Sequence, residues 1–214
     1  MVDLDDVWSR VQEIRDNPTV VFVEDLLISL LIVGGIATVL FGISGIWPPM
    51  VAVESGSMEP HLSRGDLVFV VNETNFVPDG VDAHHGVVTY QQGKEIGYKK
   101  FGRYGDVIVY QPNGNPRRPP IIHRAMRWVE EGEKWSADNK THVAQTSGFL
   151  TKGDNNDNYD QEGGEQISAI VKPEWVKAKA VYAVPQIGKI RLLFPFSLSS
   201  ELEEVREFPY PSSS

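Results

Sequence analysis

Leu26 to Ile46, LLISLLIVGGIATVLFGISGI, runs for 21 residues without a charge. At 1.5 Å per residue a helix of that length matches the ~30 Å hydrocarbon core of a bilayer. Glu24 and Asp25 precede the run and Pro48 and Pro49 follow it, which is unlike the basic start and shorter apolar stretch of a cleaved leader. The pattern predicts an uncleaved anchor; a buried core helix is the alternative. Before it, Leu4, Val7, Trp8, Val11 and Ile14 fall on one side of a helix over residues 3 to 16. Its polar face is acidic, which suits packing on protein better than on anionic lipid. After Pro49 the period changes. Short β-type runs follow at Leu67 to Val71, Val87 to Tyr90, Val107 to Tyr110, Ile121 to Val129, Ile167 to Val171 and Val176 to Val184. Pro78-Asp79-Gly80 and Gln111 to Pro120 carry turn chemistry.

These runs predict a mainly β protein with one N-terminal transmembrane helix and a short amphipathic helix before it. The divisions are an amphipathic segment over 1–25, an anchor over 26–46, a β domain over 47–196 and a tail over 197–214. An inserted loop or small subdomain is expected within 72–120. Ile187 to Phe196 is too short for a second span and carries Lys189 and Arg191. Ser200 with Glu203 fits the start of a last helical turn before the FPYPSSS tail. Arg10 and Arg15 precede the anchor and only Arg64 lies within twenty residues after it, which leans towards a cytoplasmic N-terminus.

Composition then narrows the chemistry. A chain of 214 residues with 41% hydrophobic content supports one sizeable core. Net charge of -9 without a basic cluster argues against a nucleic-acid partner. No cysteine is present, so disulfides, thiolate metal sites and a thiol nucleophile drop out.

Three segments stand out for a β domain. Glu54-Ser55-Gly56-Ser57-Met58-Glu59-Pro60 precedes Arg64-Gly65-Asp66. A serine beside glycine and ahead of proline fits a tight turn that presents its hydroxyl, with nearby N–H groups as oxyanion donors. Alone, it reads as an ordinary turn before a strand. His123, in Ile121-Ile122-His123-Arg124, sits downstream of Gly105-Asp106-Val107-Ile108-Val109-Tyr110. Its imidazole has the chemistry of a general base, or of a satisfied half-buried histidine. His61, His84, His85 and His142 have no motif around them and take the second reading. Thr151 to Asp160, TKGDNNDNYD, offers Asp154 and Asp160 as carboxylates that could orient the imidazole. Asp154, Asn156, Asn158, Asp160 and Glu165 also match spacings of a calcium loop. Tyr159, however, stands where that loop needs glycine.

Taken together, SGSMEP with RGDLVFV, GDVIVY with IIHR, and TKGDNNDNYD resemble signal peptidase I of the archaeal and endoplasmic-reticulum type, over roughly residues 26–190. The single anchor before the serine and Val184-Pro185-Gln186-Ile187-Gly188 agree with it. The resemblance implies a signal-peptidase-like β catalytic domain that works without metal or organic cofactor. It implies Ser57 as nucleophile and His123 as the base in place of the lysine of bacterial relatives. Asp160 is then the orienting carboxylate, with Asp154 in support or as the alternative third member. No lysine lies between Tyr110 and His123. Lys99 and Lys100 come before that strand and read as solvated.

The expected function is a serine endopeptidase of the cell membrane, single-pass, with its catalytic domain extracytoplasmic. Its expected partners are preprotein signal peptides and membrane lipid, with the protein-translocation machinery as a further candidate. Eleven residue steps separate Ile46 from Ser57, a reach of ~36–40 Å at most, so Ser57 is expected near the membrane surface. Shallow pockets for small side chains are expected from Met50 to Val53 and Ile121 to Ile122. The alternatives are a membrane-tethered β domain that binds calcium or a partner, and a protease restricted to itself or to a narrow regulatory target.

Overall fold

The computed structural model describes residues 17–137, 140–162 and 166–186. The expected amphipathic helix over 3–16, the 187–196 segment, the tail and Glu165 lie outside them.

Two units divide the chain at Pro49 and Met50. The first holds helix α1, Pro18–Ser44, 27 residues long and apolar enough to cross a membrane. It starts eight residues before the expected anchor and stops two short of it. The reasons are local. Asn17 accepts the Thr19 N–H at 2.9 Å and Pro18 takes the first helical position, where its missing N–H costs nothing. Gly45 at φ 73° ends the helix and donates its N–H to the Phe41 carbonyl.

The second unit is built on a sheet of six antiparallel strands: β1 (Met50–Ala52), β2 (Leu67–Val71), β5 (Val107–Tyr110), β6 (Ile121–Val129), β9 (Gly148–Lys152) and β10 (Val176–Val184). Their order across the sheet is β1-β2-β10-β5-β6-β9. β5 is buried at all four positions because it is central and both of its faces are covered. Ile108 and Tyr110 from β5, Ala125 from β6, Phe149 from β9 and Val176 from β10 form one apolar cluster. Val129, Trp135, Leu150 and Ile170 belong to a second. Helix α2 (Tyr90–Ile96) and the pairs β3 (Lys99–Lys100) with β4 (Arg103–Tyr104) and β7 (Lys134–Ala137) with β8 (Lys140–Val143) complete the described elements.

Two expected strands are absent. Val87 to Tyr90 leads into α2, with Thr89 and Gln92 closing a capping box and Gly97 ending the helix. Ile167 to Val171 forms only one bridge, Val171 to Phe149. Its N–H groups are spent elsewhere: those of Ile167 and Ser168 go to the Asp160 carbonyl, and that of Ala169 to Asn113 Oδ1. The 72–120 stretch, where an inserted loop or small subdomain is expected, contains α2, the β3–β4 pair and β5, one of the two central strands of the sheet.

Candidate active site

Three sections of the β unit converge on one cleft. The turn after β1 carries Ser57, β6 carries His123, and the segment after β9 carries Asp154 and Asp160.

The Ser57 turn is held from both ends. Met58 and Leu62 are fully buried, and the N–H groups of His61 and Leu62 both return to the Met58 carbonyl. From the other side, Asn155 donates its N–H to the Ser57 carbonyl at 2.8 Å and its Nδ2 to the Gly56 carbonyl at 3.2 Å. Gly153 permits this approach, since a Cβ there would come within 2.5 Å of the Ser57 oxygen.

His123 faces Ile108 across the β5–β6 ladder and is 4% exposed. Its Nε2 lies 2.9 Å from Ser57 Oγ and its Nδ1 lies 2.7 Å from Asp160 Oδ2. An ionised carboxylate only accepts, so Nδ1 carries the proton and Nε2 presents its lone pair to the serine hydroxyl. Asp160 is almost fully buried. It also accepts from Tyr110 Oη at 2.8 Å and Thr151 Oγ1 at 2.6 Å. Burial, and then the Asp160 charge, push the Tyr110 phenol well above its ordinary value, so it remains a donor. The backbone of Asp160 is fixed too, with its N–H on the Thr151 carbonyl.

Asp154 goes elsewhere. Its carboxylate takes a two-pronged contact from Arg124, Nε to Oδ1 at 2.8 Å and Nη2 to Oδ2 at 2.6 Å. Arg103 approaches at 3.4 Å and His61 Nδ1 at 3.0 Å. Arg124, fully buried, also donates to the carbonyls of Gly105, Lys100 and Tyr104. The two aspartates of the calcium-like spacing thus hold different partners, and among the described residues no acidic or histidine cluster fits a metal.

Beside Ser57 and His123 opens a cleft of about 460 Å³, walled by Val51, Ala52, Pro120, Ile121, Ile122 and Ile167, with Glu54, Ser55 and Asn156 as polar lining. Val51, Ala52, Ile121 and Ile122 come from the two regions expected to form it, whereas Val53 is buried at 1% exposure. Ser55 Oγ lies 3.1 Å from Ser57 Oγ.

Sequence reasoning gave no role to Tyr110, Thr151, Asn155 or Arg124. Arg124 did leave a signal: a charge beside His123 in a strand of apolar neighbours needs a buried counter-charge, and Asp106, Asp154 and Asp160 were the motif carboxylates on offer. Lys99 and Lys100 stand apart, over the rings of Tyr104 and Tyr98.

No protein-family model matches the chain. Among curated proteins, the signal peptidase complex catalytic subunit SEC11C of Homo sapiens is 30% identical over 151 residues, 71% of this chain and 59% of that protein. The SEC11 subunit of Komagataella phaffii is 30% identical over 146 residues, 68% of this chain and 66% of that protein. The sec11 subunit of Talaromyces marneffei is 36% identical over 112 residues, covering 50% and 44%. The class these relatives share is the catalytic subunit of a signal peptidase complex. The chain belongs to the endoplasmic-reticulum type of the signal peptidase I family. It spans about 59% of the length of the mammalian relatives.

Proposed function

We propose that the protein is a membrane-bound serine endopeptidase that removes signal peptides from secreted preproteins at the extracytoplasmic face of the cell membrane. The observation that carries this reading is His123, bonded through Nε2 to Ser57 Oγ and through Nδ1 to Asp160. The names of the relatives and the apolar helix α1 support it.

The chemistry follows from those three side chains. Ser57 Oγ attacks the scissile carbonyl while its proton passes to His123 Nε2. Asp160 accepts the Nδ1–H throughout and stabilises the imidazolium that forms. Negative charge on the carbonyl oxygen meets the Ser55 hydroxyl and the N–H groups of the turn. His123 then returns its proton to the leaving amine, and the mature protein departs. Water, deprotonated by His123, attacks the acyl carbon; the bond to Ser57 Oγ breaks, Oγ takes the proton back from His123, and the signal peptide leaves as its carboxylic acid.

The apolar cleft suits a substrate with small uncharged side chains before the cut, as signal peptides have. Preprotein, membrane lipid and, by the naming of the relatives as subunits, other chains of a complex are the partners of this reading.

The test uses membranes carrying the full chain and a secreted preprotein. Ser57→Ala and His123→Ala are each expected to abolish cleavage with the chain still in the membrane. Cleavage by either variant at the wild-type rate overturns the proposal.

A further inference from the structure

Asn72-Glu73-Thr74 leaves the end of β2 and takes no part in the reaction above. It has the acceptor pattern for N-linked sugar, asparagine followed two residues on by threonine, with a residue other than proline between. Such triplets arise by chance, so the argument rests on geometry. Asn72 Oδ1 accepts the Thr74 N–H at 3.0 Å and the Thr74 hydroxyl at 2.6 Å, both at the surface. This is an Asx turn closed a second time by the hydroxyl. Two donors on the amide oxygen draw electron density towards it and make the Nδ2 protons more acidic. Nδ2 itself has no hydrogen-bond partner among the described residues, and the Asn72 side chain is half-exposed. The turn is held from outside as well: the Asn75 N–H returns to the Asn72 carbonyl, and Gly86 packs so closely that a Cβ there would lie 2.3 Å from the Glu73 oxygen.

We propose that Asn72 is a glycosylation site, its donor a lipid-linked oligosaccharide of the polyprenyl phosphate or diphosphate class, delivered by a membrane transferase. Nδ2 attacks the anomeric carbon and a C–N bond forms. The bond from that carbon to the phosphate oxygen breaks, the lipid phosphate leaves with the electron pair, and one Nδ2 proton passes to a base of the transferase. The inference rests on the proposed extracytoplasmic position of the β unit, where such sugar transfer takes place.

The test reads the chain purified from the membranes of its own cells. Trypsin releases the 65–94 peptide, which contains Asn72 and excludes Asn139, whose Asn139-Lys140-Thr141 triplet also matches but whose first residue lies outside the described ones. The expected result is an added mass of whole sugar units on that peptide, lost in Asn72→Gln and Thr74→Ala and kept in Thr74→Ser. The unmodified mass alone, or sugar retained in Thr74→Ala, overturns the proposal. Orientation is read separately through Asp79→Cys, which places one thiol in an exposed loop of a chain that has none. Labelling from outside by an impermeant maleimide, with no sugar on Asn72, rejects the site and leaves the orientation standing. Labelling only from the cytoplasmic side rejects the orientation and the site with it.

Discussion

Asp154 and Asp160 stand six residues apart in one motif, and their partners predict opposite phenotypes. Among the described residues the Asp160 carboxylate bonds the His123 imidazole, Tyr110 and Thr151. Asp160→Asn keeps the shape and removes the carboxylate that fixes the Nδ1–H tautomer, so kcat is expected to fall about 10⁴-fold with KM little changed. Asp154→Asn instead strips a charge partner from a buried guanidinium. Stability is expected to fall by about 3–5 kcal/mol, because an uncompensated buried charge remains. Measured below its lowered melting point, its kcat should fall far less than that of Asp160→Asn. Equal kcat losses would mean that Asp154 belongs to the reacting set. Tyr110→Phe tests the support of Asp160 directly. Loss of one donor to a buried carboxylate is expected to cost about 1.5–3 kcal/mol in denaturant unfolding of the detergent-solubilised chain.

At the scale of elements, His84 joins the stretch between β2 and α2 to the sheet by stacking on Trp128 of β6, with ring centroids 4.9 Å apart and nearly parallel. Burial lowers its pKa, against opposing pulls from the charges of Asp82 and Glu130. A lowered folded value means that the unfolded chain takes up the proton first. The contribution is therefore present above the ordinary histidine range and lost as pH falls through the folded value. His84→Phe keeps a flat ring on Trp128 and cannot titrate. Between pH 8 and 5 its unfolding midpoint is expected to drop less than that of the wild type; parallel drops would place the acid sensitivity elsewhere. The same stretch shows where sequence reading failed. Val87 to Tyr90 has the composition of a strand, but Thr89, Gln92 and Gly97 already spelled a capped helix. Ile167 to Val171 was not legible, because its donors are taken by Asp160 and Asn113, which only the folded chain brings near. The polar β7–β8 hairpin hides its one buried ring, Trp135, among charges, and Gly148 to Lys152 is too brief an apolar run to stand out. Strands β2, β5, β6 and β10 were readable to the residue, since each is rich in β-branched and aromatic side chains and is bounded on at least one side by Asp, Asn or Pro. Ser57, His123 and Asp160 were legible as motif residues. Their shared hydrogen bonds, and the Tyr110 and Thr151 donors behind them, depend on strand register and were not.

Across the whole molecule, covalent tethering ties the proposed chemistry to a surface. Six residue steps connect Ser44 at the end of α1 to Met50 at the start of β1, a reach of about 20–22 Å at most. If α1 spans the bilayer, the β unit starts within that distance of the point where the helix emerges. A preprotein held by its own apolar segment presents its cleavage site in the same layer. The search for substrate is then confined to a thin sheet of space, and the gain is one of effective concentration and not of new contacts. This separates the two units by experiment. A chain starting at Pro48 keeps the sheet, the cleft and all three side chains of the proposed reaction. Its kcat/KM on a short soluble peptide is expected to stay within about threefold of the full chain in detergent. On a preprotein embedded in vesicles it should fall by about 10²-fold or more, the usual scale for losing a tether. A matching loss on both substrates would show that the site itself needs residues 1–47. Equal rates on vesicles would show that α1 does not deliver the enzyme to its substrate.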